Sequence, residues 1–199
     1  MALFRPSPHV ERLVAGLGNP GPAYEGTPHN IGYRVVEELA RRHGFPRAKR
    51  GFDGRAAEGA VRGRAVLLLQ PTTFMNDSGR SVAAALRALK LPLADLLVVH
   101  DHIDLPFGRL RLVEGGGSGG HNGLKSITGL VGSGYVRLRV GVDRPPSTDP
   151  DVVAEFVLSP FRETRGEVDA LTAAAADAVE LWLDAGLEEA ANAVNRLGG

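Results

Sequence analysis

The sequence predicts an α/β fold: a twisted, mixed β-sheet flanked by helices on both faces, in a single domain spanning residues 1–199. Three observations predict it. Short apolar runs alternate along the chain with stretches of helical period, the mark of strands and helices in layers. The runs are nearly continuous in apolar residues, as strands covered on both faces are. Two more strand-like segments follow their neighbours through short links, which suits antiparallel additions to a parallel core. A chain of 199 residues fits one domain, and neither a repeat nor a long linker interrupts it.

The strands expected in order are 11–18 (ERLVAGLG), 64–70 (RAVLLLQ), 94–101 (ADLLVVHD) and 136–142 (VRLRVGV), with 55–63 and 107–114 as the antiparallel additions. Helical spacing marks 28–43 through Ile31, Val35, Val36 and Leu39, then 77–90 through Val82, Leu86 and Leu89. It marks about 122–132 through Leu124, Ile127, Leu130 and Val131. Residues 162–197 read as helical throughout, with Val168, Leu171, Ala175, Val179 and Trp182 on a sheet-facing stripe and acids elsewhere. The Pro- and Asp-rich segment 143–156 reads as a mobile lid.

Composition narrows the function. Hydrophobic residues make up 43% and charged residues 23%, a globular balance, and cysteine is absent, which removes disulfides, zinc–cysteine clusters and cysteine nucleophiles. With no apolar run near the roughly 18 residues of a membrane helix and no signal-peptide pattern at the start, a soluble cytoplasmic protein without a membrane partner is expected. The formal net charge of +0 argues against coating nucleic acid through bulk charge. Yet residues 1–144 hold 20 Lys or Arg against 12 Asp or Glu, and residues 145–199 hold 3 against 11. The basic residues cluster at 41–64, as Arg41, Arg42, Arg47, Lys49, Arg50, Arg55, Arg62 and Arg64. They make either one face for a polyanion or a solvated arginine-rich surface.

Five constellations sit past strand ends, where α/β folds bind ligands. GLGNPG at 16–21 has the form of a dinucleotide fingerprint, but Pro20 and Pro22 delay the next helix to about Thr27, so a pyrophosphate would miss the helix dipole. What remains is a sharp turn exposing Asn19. In TPHN at 27–30, Thr27 suits an N-cap and Pro28 the first helical position. His29 then sits in the first turn, where the helix dipole disfavours imidazolium and leaves a neutral ring able to accept a proton; the alternative is a half-buried histidine held by a carbonyl. TFMNDSG at 73–79 places Asn76 just before a helix, as an oxyanion donor or simply a cap. In VVHDHIDLP at 98–106, His100, Asp101, His102 and Asp104 invite a metal site completed by His29 or His121. Strand alternation opposes it by turning His100 and His102 away from Asp101. Asp101 is then free to orient a histidine from another loop, and no metal is expected. Finally, GGGSGGHNGLKSI at 115–127 is a glycine-rich loop running into a helix. Its lysine is displaced from the P-loop position, and no histidine follows His121 to complete a serine triad. Bare amides and the helix start could hold an anion or a peptide backbone, with Asn122 at the mouth.

Together GLGNPG, TPHN, TFMN, HDHIDLP, GGSGGHNGLKSI, RLRVGVDRP and EFVLSPF, in this order, resemble bacterial-type peptidyl-tRNA hydrolase over nearly the whole chain. The resemblance implies hydrolysis of the ester joining a peptide to the terminal ribose of tRNA, by a metal-independent, cofactor-free monomer with no obligate protein partner. It implies His29 as base, Asp101 as its partner, and Asn19, Asn76 and Asn122 lining the cleft, where Asn76 is expected to stabilise the oxyanion. Phe74, Met75, Gly119 and His121 would neighbour the substrate peptide and Tyr24 the base. Arg139, with Arg137, Lys125 and part of the 41–64 cluster, would meet the tRNA backbone. The sequence departs from the family pattern at Pro28, where Arg is usual; His102, an acid; Val113, often Lys; and Asp143, usually Gly. These changes touch the rim and the RNA side.

Overall fold

The computed structural model describes residue 4 and residues 6–196, so the expected helix end at 197 lies outside the described residues. The strands are β1 (Arg12–Gly16), β2 (Lys49–Gly51), β3 (Gly54–Val61), β4 (Arg64–Pro71), β5 (Leu96–His102), β6 (Leu110–Glu114) and β7 (Val136–Gly141). The helices are α1 (Ile31–Arg42), α2 (Ser78–Leu89), α3 (Asn122–Val131), α4 (Pro150–Leu158), α5 (Arg165–Ala185) and α6 (Leu187–Arg196). The sheet runs β2-β3-β4-β1-β5-β7-β6, with β4, β1, β5 and β7 parallel and β2, β3 and β6 antiparallel to their neighbours. This is the mixed sheet expected from the runs and their short links.

Alternation along the central strands sorts the core into two layers. Val14, Val66, Leu68, Leu97 and Val99 pack beneath α1, α5 and α6, whereas Leu13, Ala15, Leu67, Leu69, Leu96 and Val98 pack beneath α2 and α3. The predicted stripe of α5 lies in the first layer through Leu171, Ala175, Val179 and Trp182. The first turn of α1 meets the sheet backbone directly: a Cβ on Gly32 would lie 2.3 Å from Leu17 N and 2.5 Å from Val99 O. Only glycine permits this approach, which fixes the preceding turn, with His29, against the end of β5.

The expected elements need one correction and two additions. Residues 162–197 are not one helix, because Gly186 takes a left-handed φ of 83° and separates α5 from α6. Residues 150–158, within the segment read as a lid, form a helix that the sequence reading did not give; the Asp149 carboxylate caps α4 by accepting from Asp151 N–H at 2.9 Å, and Pro150 opens it. The charged, three-residue β2 has no apolar pattern by which to be read; its hairpin with β3 turns through Phe52 and Asp53 in left-handed backbone.

Part of the charge polarity along the chain is paired in space. Arg42 of α1 donates to Asp177 at 2.6 Å and to Glu180 at 3.1 Å, both on α5, and Arg62 reaches Glu180 at 3.1 Å. Arg41 is held by Glu38, and Arg64 donates to the Leu183 carbonyl. Arg42, Arg62 and Arg64 of the basic cluster therefore form a seam against the acidic helix, while Arg47, Lys49, Arg50 and Arg55 stand exposed.

Candidate active site

The carboxyl ends of β1, β4 and β5, the glycine-rich loop ahead of α3, and α4 enclose a cleft of about 740 Å³. At its floor lies Asp101, 3% exposed. Its strand neighbour His102 lines the same cleft, His100 is fully buried with its ring 5.0 Å from that of His121, and the Asp101 carboxylate meets two histidines brought by other loops. His29 Nδ1 lies 2.9 Å from Oδ1 and 3.0 Å from Oδ2; His121 Nε2 lies 3.0 Å from Oδ1. An ionised carboxylate only accepts, so His29 carries its proton on Nδ1 and leaves Nε2 as a lone pair. Burial alone would raise the pKa of Asp101, but the facing His29 and His121 hold it well below the usual carboxylate range.

His29 sits in the 3₁₀ turn Pro28–Asn30 that leads straight into α1. Thr27 precedes the turn in extended backbone, but its hydroxyl donates to the Tyr24 carbonyl instead of capping. The expectation that the helix dipole sets the protonation of His29 is corrected: burial lowers its pKa, but the charge and hydrogen bonds of Asp101 outweigh that and raise it above the ordinary 6.5.

A carboxamide relay sets the opposite wall. Asn30, buried, accepts from Asn19 N–H at 2.8 Å and donates to the Asn19 carbonyl at 3.0 Å, pairing as a strand would. Asn19 Oδ1 in turn accepts from Met75 N–H at 2.8 Å. That bond turns the Asn19 oxygen toward Met75 and leaves its N–H₂ donors unused by it. Asn76, in the 3₁₀ turn Met75–Asp77, and Asn122, the first residue of α3, are exposed and line the same cleft, as do Phe74, Met75, Gly119 and Lys125. Phe74 stands 60% exposed at one lip, and Val153, Val157 and Leu158 of α4 form the other.

Other expected residues lie elsewhere. Arg137, expected on the RNA face, is fully buried: its guanidinium donates to the Gly117 carbonyl at 2.8 Å and stacks 4.5 Å from the Tyr135 ring. It holds the glycine-rich loop. Tyr24 does not line the cleft and supports the His29 turn through its carbonyl. The start of α3, expected to receive an anion, is capped by His121, whose Nδ1 accepts from Gly123 N–H at 3.1 Å and Leu124 N–H at 3.4 Å. Arg139, half-buried, stands directly opposite Arg111 in the β6–β7 register, with no acid paired to either among the described residues. Sequence reasoning missed Asn30, although it is the last residue of TPHN, and the α4 wall, although Asp149-Pro150 is a helix-start signal.

One ligand atom from each of His29, Asp101 and His121 lies within 4.8 Å of the others, the spacing of a metal group. Hydrogen bonding argues against that use: His121 gives its Nδ1 lone pair to two amides, so its Nε2 bears a proton and has none to offer a cation. Among the described residues no helix is long and apolar enough to cross a membrane.

An imidazole aligned by a buried carboxylate, facing carboxamide donors across a cleft, is the equipment of a hydrolase that activates water against a carbonyl. Comparison with known proteins makes the class specific. A family model for peptidyl-tRNA hydrolase matches residues 13–198. The peptidyl-tRNA hydrolase of Geobacter sulfurreducens is 46% identical over 186 residues, covering 92% of this chain and 95% of that one. That of Nocardia farcinica is 50% identical over 186 residues, covering 90% and 94%. The crystal structure of the Acinetobacter baumannii peptidyl-tRNA hydrolase superposes with a TM-score of 0.85 at 35% identity, covering 93% and 94%. The chain belongs to the peptidyl-tRNA hydrolase family.

Proposed function

We propose that this protein hydrolyses the ester between a peptide and the terminal ribose of tRNA, with His29 as general base. The observation that carries the reading is the His29–Asp101 pair at 2.9 and 3.0 Å, on the floor of the cleft that Asn19, Asn76 and Asn122 line. His29 Nε2 takes a proton from water as the water oxygen attacks the ester carbonyl carbon. Asp101 holds the ring in that tautomer and stabilises the imidazolium that forms. Asn76 donates to the tetrahedral oxyanion, and Asn19 and Asn122 hold the peptide and ribose ends in register. Collapse breaks the bond to the ribose oxygen, which takes the proton back from His29, releasing peptide and tRNA.

The RNA portion of the substrate meets Arg139 and Lys125 at the glycine-loop side. Directly opposed cations such as Arg111 and Arg139 repel, and burial together with Arg111 and Arg137 lowers the Arg139 pKa. A phosphate between them relieves that repulsion and reads no sequence, which suits an enzyme that accepts many tRNAs. The test is release of N-acetyl-aminoacyl groups from tRNA, beside the unacylated form and with and without a chelator. Wild-type protein cleaves the acylated substrate with or without chelator, and His29→Ala loses about 10²- to 10⁴-fold in rate while still binding tRNA. Near-normal cleavage by His29→Ala removes the base assignment, and inhibition by the chelator removes the metal-free mechanism.

A further inference from the structure

We propose that His121 is a positioning residue of this centre, holding the Asp101 carboxylate from the side opposite His29 and making no polar contact with substrate. The inference rests on the reading of His29 as base.

The hydrogen-bond balance of the ring leads there. His121 Nδ1 is occupied as an acceptor by the amides of Gly123 and Leu124, so the proton lies on Nε2, which donates to Asp101 Oδ1 at 3.0 Å. Both nitrogens are consumed inside the protein, and neither is left for a peptide or a phosphate. The ring is also held in place. The His29 ring lies 5.0 Å from it and the His100 ring 5.0 Å from it at 75°. A Cβ on Gly123 would come within 3.1 Å of His121 Cε1, so the start of α3 closes over the ring. His100 is anchored by its Nδ1–H donating to the Asp101 carbonyl at 2.7 Å, and burial, then the adjacent His121, keep it neutral. One side chain thus caps α3 and fixes the plane of the carboxylate that fixes His29.

The groups facing this pair are Asp101, His100 and His102 of β5, Lys125 of α3, and Arg144 across the cleft, which is bound to Asp104. Removing the His121 donor leaves the Asp101 charge less dispersed, so it pulls harder on the His29 proton and swings more freely. The expected outcome is a rise of the His29 titration midpoint by about half to one pH unit, with kcat down about tenfold or more and KM little changed.

His121→Asn is the informative variant, because an asparagine oxygen still caps α3 while its side chain is too short for Asp101. His121→Gln restores a donor of nearly the length of Nε2. NMR titration of the His29 ring reads the coupling without any substrate. A midpoint raised in folded His121→Asn and brought back toward wild type in His121→Gln supports the inference; an unchanged midpoint in His121→Asn overturns it. The wild-type ring gives a check that needs no variant: at neutral pH its nitrogen spectrum should show Nε2 protonated and Nδ1 bare, and the opposite tautomer overturns the inference. If the His29 midpoint moves and the acid limb of kcat/KM does not follow, the coupling stands and the base assignment of His29 falls.

Discussion

Two buried carboxylates in this molecule each face a histidine, and only one sits where chemistry can use it. Asp101 receives His29 and His121 on the floor of the cleft, with no arginine bound to it among the described residues. Glu180, on α5, lies 3.1 Å from His43 Nε2, but Arg42 and Arg62 also bind it, each at 3.1 Å. The guanidiniums, permanently charged, saturate Glu180 and tie α1, the β3–β4 turn and α5 into one seam. At Asp101 both partners are imidazoles, and the one at His29 keeps a free Nε2 that can take and return a proton. A carboxylate–histidine contact therefore becomes a reactive site through what it lacks: a fixed cation that would quench the acid.

The sharpest way to break this contrast is to neutralise each acid without changing its size. In Asp101→Asn the ring of His29 loses its charged acceptor and faces an amide that can also donate, and ester hydrolysis should fall by about 10² to 10⁴. The pH profile adds a sign. In the wild type, turnover requires neutral His29, so the rate climbs with pH through a midpoint above the ordinary 6.5. Without the Asp101 charge only burial remains to act on His29, and the residual activity of the variant should climb through a midpoint below 6.5. A variant with normal rate and an unmoved midpoint would make Asp101 no more functional than Glu180.

Glu180→Gln should do the converse, leaving hydrolysis intact and lowering stability by about 1–3 kcal/mol, a fall of several degrees in Tm. The sign of its pH dependence follows from the pKa direction. Burial would raise the Glu180 pKa, but His43 and Arg42 outweigh that and hold it below the ordinary 4.5. Its stabilisation is thus present above 4.5 and lost as pH falls through the folded value. Thermal melts of wild type and variant should converge as the solution is acidified below that point. A gap that widens instead would mean the seam is not held by the ionised acid.

The same contrast explains what could be read from the sequence. The mixed sheet was legible because central strands covered on both faces must be continuously apolar, and each site residue follows or ends such a run. Asp101 was legible as a partner for a histidine from another loop because it ends a buried apolar run, although His100 and His102 stay close to the same centre. The pairing of the arginines at 41–64 was not, since Arg42 and Asp177 are brought together only by the packing of α1 on α5. Arg137 misled for the same reason: an arginine on a strand gives no local sign that it will be buried against Tyr135 and the Gly117 carbonyl. The protonation of His29 likewise depends on a partner 72 residues away, which a local helix-dipole argument does not contain. The helix at 150–158 was a lesser failure, because Asp149 and Pro150 mark its start within the sequence itself.

The smallest expected effects separate two arginines that composition treats alike. Arg41 is exposed and paired with Glu38 within α1, whereas Arg139 stands beside Arg111 at the glycine-rich loop without an acid among the described residues. In Arg139→Gln, tRNA binding should weaken about equally for all tRNAs, and the slope of log affinity against log salt should shrink by roughly one phosphate contact. kcat at saturation should be preserved, because the residue touches neither His29 nor the carboxamides. Arg41→Ala should leave Tm, salt slope and rate unchanged, since an exposed ion pair within one helix contributes little. If both substitutions flatten the salt response equally, the RNA footprint extends across the α1 seam and the division between neutralised and available arginines is wrong; if only Arg139 does, position opposite Arg111 is what makes an arginine a phosphate ligand here.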